Sequence, residues 1–149
     1  MTERALRKFV RDRAAGYCEY CRLHQDYDRY YAFHVEHIVA RQHGGSTDPA
    51  NLAWSCHSCN LHKGPNLSGL DPQTGRIVQL FHPRRDRWEQ HFRWAGPILT
   101  ARTAVGRATV AVLQLNTVER IELRMLLVNQ GLFPPPVTSP RSERTRRPR

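Results

Sequence analysis

Cys18-Glu19-Tyr20-Cys21 and Cys56-His57-Ser58-Cys59-Asn60-Leu61-His62-Lys63-Gly64 bracket the stretch that decides the fold. The two Cys-x-x-Cys pairs use all four cysteines of the chain. Such pairs can set four thiolates tetrahedrally around Zn²⁺, with no coordination position left open for chemistry, so the expected role is structural. The 34 residues between the pairs exceed the spacing of the shortest zinc ribbons, so structure of its own must fit there. Two disulfides are the alternative, and they suit an oxidising compartment. The opening run from Met1 to Arg13 has no apolar signal core, so a cytoplasmic location with reduced thiols is expected. A dithiol redox site needs only one pair and a thioredoxin-like surround, which is lacking.

Inside the bracket come Phe33-His34-Val35-Glu36-His37-Ile38-Val39, then His43-Gly44-Gly45-Ser46, then Asn51-Leu52. The span from Cys18 to Gly64 resembles the HNH nucleases, which share the ββα-metal fold. The elements that match are Glu36-His37, the Gly-Gly loop, Asn51-Leu52 and Cys-x-x-Cys-Asn-x-x-Lys-Gly. The resemblance implies an α+β chain with a ββα-metal core stapled by Cys18, Cys21, Cys56 and Cys59. It implies a metal-dependent endonuclease that hydrolyses DNA phosphodiester bonds and leaves 5′-phosphate and 3′-hydroxyl ends. His37, neutral near pH 7 at its reference pKa of ~6.5, would accept a proton from water. Glu36 and Asn60 would hold a divalent cation, Mg²⁺ or Mn²⁺, with positions left for substrate oxygens. Asn51 matches the middle Asn of the family, which braces the loop and orients the catalytic His. Asn60 stands where the family name implies a His, a variant many members carry. Gly64 stands where colicin-type members place a further His.

Outward from that core, Thr2 is read as the cap of a helix to about Ala15 with Leu6, Phe9 and Val10 on one face. Tyr30 to Val39 reads as a strand, Asn51 to Ser55 as a second, and Cys59 to Lys63 as a short helix. Leu70 to Arg76 is turn chemistry between two extended stretches. Phe92 to Trp94 and Ile98 to Arg102 read as strands. Thr103 and Thr117 are expected to cap helices to about Leu115 and Asn129, the last with Val118, Ile121, Met125 and Val128 as its core stripe. This divides the chain into a nuclease core (1–66), an accessory β-hairpin and helices (67–133), and a disordered basic Pro/Arg tail (134–149).

The charge is +10, and 21 of the 23 basic residues are Arg, the fork-shaped donor that matches phosphate oxygens. Five Arg and one Glu in residues 134–149 leave +6 on residues 1–133, so the folded part is basic by itself. DNA is the expected partner, with RNA as a further candidate, and neither a membrane nor a small-molecule substrate is expected. No apolar run approaches the roughly 18 residues that span a bilayer. Arg41, Lys63 and Arg84 are candidate phosphate contacts, the last within His82-Pro83-Arg84-Arg85. His34 reads as a packed or half-exposed residue, His43, His57 and His62 as polar surface residues or phosphate contacts rather than ligands, and Trp88, Phe92 and Trp94 as core. The alternative function is a zinc-stabilised nucleic-acid-binding module without catalysis.

Overall fold

Thr2 Oγ1 accepts from Ala5 N, and a helix follows over Glu3–Arg13 (α1). The computed structural model describes residues 1–136, so the basic tail from 137 onward lies outside the described residues. In α1, Val10 is buried and Leu6 packs on the core, but Phe9 is exposed, with the Arg13 guanidinium 5.4 Å from its ring centroid. The buried stripe is therefore narrower than the three apolar residues suggest.

Strand β1 covers only His34–His37 and pairs antiparallel with β2, Leu52–Ser55, with Glu36 opposite Ala53. Side chains trim it at both ends. Asp28 Oδ1 accepts from the backbone N–H groups of Tyr30 and Tyr31 at 3.0 Å each, which bends that segment away from the ladder. Past the other end, the Asn51 side chain takes both the N–H and the C=O of Val39, at 2.9 and 3.0 Å. Helix α2 (His57–Lys63) starts two residues earlier than expected, because Cys56 caps it and its Sγ accepts from Cys59 N.

Strands β3 (Ser68–Leu70) and β4 (Ile77–Gln79) form a hairpin across the expected turn. A one-turn helix, α3 (Trp88–His91), leads into a second hairpin, β5 (Phe92–Ala95) with β6 (Ile98–Ala101). Helices α4 (Ala104–Val112) and α5 (Val118–Asn129) are capped by Thr103 and Thr117 as the sequence predicts. Asp71, fully buried at the first hairpin, accepts from Arg107 of α4 through both oxygens at 2.8 and 2.9 Å. That bidentate pair fixes the helix over the hairpin and holds the carboxyl far below the usual carboxylate range.

The expected apolar stripe of α5 is not its buried face. Val118 and Met125 are exposed, and Arg124 and Leu127 are buried instead. Arg124 can be buried because its N–H groups are satisfied by Pro97 O, Leu115 O and Asn116 Oδ1, while its guanidinium lies 5.2 Å from the Trp94 ring centroid. The helix docks by hydrogen-bonded arginine, which hydrophobic periodicity cannot register. One cluster of buried residues runs from Val10 and Tyr20 through Trp54 and Trp88 to Leu115, and so joins the first 66 residues to those that follow. The architecture is α+β, with helices and three small antiparallel sheets. Among the described residues no helix is long and apolar enough to cross a membrane.

Candidate active site

Cys18, Cys21, Cys56 and Cys59 come together in the core, all buried, with their sulfurs within 4.8 Å of one another. Cys21 Sγ and Cys56 Sγ are 3.8 Å apart, the edge of a tetrahedron whose centre lies ~2.3 Å from each sulfur, which is the Zn–S distance. The donor set and spacing therefore fit zinc. A residue from far along the chain completes this centre. Arg120 of α5 donates to Cys59 Sγ at 3.0 Å, to Ser58 Oγ at 3.2 Å and to Leu113 O at 3.2 Å. Burial opposes its charge, but the thiolates more than offset that and hold the guanidinium firmly protonated. Four thiolates on Zn²⁺ carry a net charge of −2, which Arg120 partly balances. Nothing in the local motif marks Arg120, because the signal is tertiary.

The cysteine cluster fixes Cys56 and Cys59, and with them α2 against β1. On β1, Glu36 points inward and is nearly fully buried. Its Oε2 accepts from the Tyr20 hydroxyl at 2.6 Å, and its Oε1 lies 2.5 Å from Lys63 Nζ. Burial raises the Glu36 pKa, and the ammonium of Lys63 works against that rise. Tyr20, inside the first Cys-x-x-Cys, is a partner the motif did not single out, and burial together with Glu36 drives its own pKa well up. Lys63 corrects an expectation: it is 2% exposed and also donates to Ile38 O, so it is an interior counter-ion and reaches no phosphate. Asn60 lies between His57 and Lys63 on α2; its backbone N–H donates to Cys56 O, and its side-chain amide is in no hydrogen bond among the described residues.

His37 is at the end of β1, on the strand face opposite Glu36. It is half-buried, and its Nε2 lies 3.2 Å from Thr47 Oγ1. Burial, and then the nearby positive charge of Arg41, lower its pKa and favour the neutral imidazole. Arg41 is exposed at the start of the turn Arg41–His43 and, among the described residues, is in no ion pair. Thr47, which orients the ring, went unnoticed because only loop composition surrounds it. Asn51 Nδ2 also donates to Ser46 O at 2.7 Å, so one amide ties the Gly-Gly loop to the end of β1. The loop comes so close that a Cβ on Gly45 would lie 1.7 Å from Val39 O. Gly45→Ala should therefore push the loop off its brace and lose about 1–3 kcal/mol in a denaturant titration. An unchanged midpoint would show that the loop yields freely.

Arg84 also departs from expectation. It forms an ion pair with Glu19, and the turn that carries it closes on His82 Nδ1, which accepts from Arg84 N at 3.1 Å and Arg85 N at 3.2 Å. Its charge is spent inside the protein, where it joins the accessory half to the first Cys-x-x-Cys. The reading of Trp88 as core holds, and its Nε1 donates to Tyr20 O at 2.9 Å.

The comparison with known families falls on this segment. Residues 18–66 match the model of the HNH endonuclease family. No curated protein and no solved structure matches the chain. The matched residues, a third of the chain, hold two short antiparallel strands, a helix packed on the first of them, and the cysteine cluster that ties the helix down. HNH domains are generally nucleases, with nucleic acid as the substrate and divalent metals in use.

Proposed function

We propose that the protein is a metal-dependent endonuclease that hydrolyses DNA phosphodiester bonds and leaves 5′-phosphate and 3′-hydroxyl ends. The observation that carries this is His37, a neutral imidazole at the accessible end of β1, aimed by Thr47 and flanked by Arg41 within the HNH domain. His37 takes a proton from the attacking water. Asn51 keeps the loop that holds Thr47 against the strand, and Arg41 faces the phosphate. Glu36 and Asn60 are the residues that would hold the divalent cation. A carboxylate has about four lone-pair positions; the Tyr20 hydroxyl takes one on Oε2, while Oε1 has the Lys63 ammonium beside it but no hydrogen-bond partner among the described residues, so acceptor capacity remains. Mg²⁺ or Mn²⁺ bound there supplies charge neutralisation at the scissile phosphate and the leaving oxygen. Zn²⁺ on the four cysteines is structural. In this reading residues 1–66 carry the chemistry, and residues 67–133 brace them through Arg84, Trp88 and Arg120.

One observation favours a second reading, a zinc-stabilised nucleic-acid-binding module without catalysis: Glu36 is already engaged by Lys63 and Tyr20. Supercoiled plasmid, single-stranded DNA and structured RNA, each incubated with the protein in Mg²⁺, in Mn²⁺ and without added metal, separate the two. The nuclease gives metal-dependent nicked plasmid first, since one site cuts one strand. Binding without scission of any substrate in either metal establishes the module instead.

A further inference from the structure

Two tyrosines stand outside the catalytic reading. Tyr30 is 89% exposed and Tyr31 is 57% exposed, both far above what an aromatic ring ordinarily shows. They are not loosely held, because Asp28 Oδ1 accepts from both of their backbone N–H groups. The Tyr31 ring lies on the imidazole of His57, with centroids 4.1 Å apart and planes 10° from parallel. His57 Nδ1 is in turn 3.1 Å from His34 Nε2 on β1. One face of Tyr31 is thus covered by a ring that two elements hold in place. The other face accounts for its exposure.

Beside these rings is a cleft of about 380 Å³ whose walls include Arg7, Arg11 and Arg29. Arg7 is anchored, donating to Phe33 O at 2.8 Å and lying 4.6 Å from the Trp54 ring centroid. Arg29 is exposed and in no ion pair among the described residues. Asp26 and Asp28 also line the cleft: Asp28 is engaged by the two tyrosine amides, while the exposed carboxylate of Asp26 stays at the rim, its backbone N–H donating to His24 Nδ1. Flat rings with an open face beside guanidinium groups are the recurring chemistry of single-strand binding, since every base has a π-face and every nucleotide a phosphate. Duplex bases are already stacked on each other and do not offer that face.

We propose that Tyr31, backed by His57, and its neighbour Tyr30 form a stacking platform for unpaired nucleotides, with Arg29 and Arg7 of α1 holding their phosphates. This deepens the nuclease reading and rests on it for the class of ligand. His57 precedes Asn60 by three residues of α2, about 4.5 Å along the helix axis, so the nucleotides on the platform flank the cleavage site. The platform selects substrates that carry a single-stranded or frayed segment next to the scissile bond.

The test is binding of fluorescein-labelled dT12 and of a 12-base-pair duplex, without added divalent cation. It uses the full chain and its Tyr31→Leu, Tyr31→Phe and Tyr30→Leu variants. Tyr31→Leu should weaken dT12 binding by about 5- to 100-fold, with Tyr31→Phe within about twofold of the parent and the duplex little affected. A 2-aminopurine placed in the strand should be quenched by the parent and not by Tyr31→Leu. A matching melting temperature for Tyr31→Leu separates lost stacking from lost folding. Parent-like dT12 binding by both Leu variants overturns the platform and leaves the nuclease reading standing. A parent that binds neither probe at low salt also overturns the platform, and the nuclease reading then stands or falls on the plasmid assay.

Discussion

Replacing His37 by Ala should lower metal-dependent plasmid nicking by about 10²–10⁴-fold, the range for loss of a positioned general base. The side chain is half-exposed at the end of β1, and its one hydrogen bond among the described residues is to Thr47, so little folding energy depends on it. The melting temperature and the affinity for uncut DNA should therefore stay near those of the parent. That combination separates a lost base from a lost fold. Replacing Thr47 by Val would free the ring without removing it, so its effect should be smaller than that of His37→Ala. Equal cleavage by parent and His37→Ala would remove His37 from the mechanism and leave water activation to another group.

The sequence reading and the structure agree where the signal is local. The three threonine caps, the turn at Leu70–Arg76 and the two Cys-x-x-Cys pairs are legible, because each rests on a side chain bonding within its own turn or loop. Residues buried as charged or polar pairs are not. Lys63 reads as a phosphate contact, and it becomes interior only because Glu36 and Ile38 O lie across from it once the cysteine cluster has pinned α2. Arg84 reads as a phosphate contact, and it, Arg120 and Arg124 are each spent on a partner far away in sequence. The +10 charge thus overstates the field offered to a polyanion. Strand β1 was drawn too long for a related reason: apolar and aromatic composition continues past both ends, but Asp28 and Asn51 claim the backbone groups a longer ladder would need.

The largest stability effect should come from Cys56→Ser. Its Sγ is one of the four clustered sulfurs, and it also caps α2 by accepting from Cys59 N. A seryl oxygen can restore a cap but is a poor zinc ligand, so the substitution isolates the metal's contribution. Structural zinc sites contribute on the order of 10–16 kcal/mol in apparent binding energy, against a whole-domain stability of about 5–15 kcal/mol. Losing even part of that contribution exceeds what a chain of this size can spare. The three sulfurs that remain would have no cation to hold them together, and the Arg120 anchor that reaches from Cys59 to Leu113 O would loosen with them. The expected result is one zinc per chain in the parent by elemental analysis and close to none in Cys56→Ser. Hydrogen exchange should rise first in α2 and β1 and then in α5, and nicking should be lost together with the fold. A parent purified under reducing conditions without zinc, yet with a sharp thermal transition, would mean that packing alone holds the cysteine frame and would remove zinc from the account of this fold.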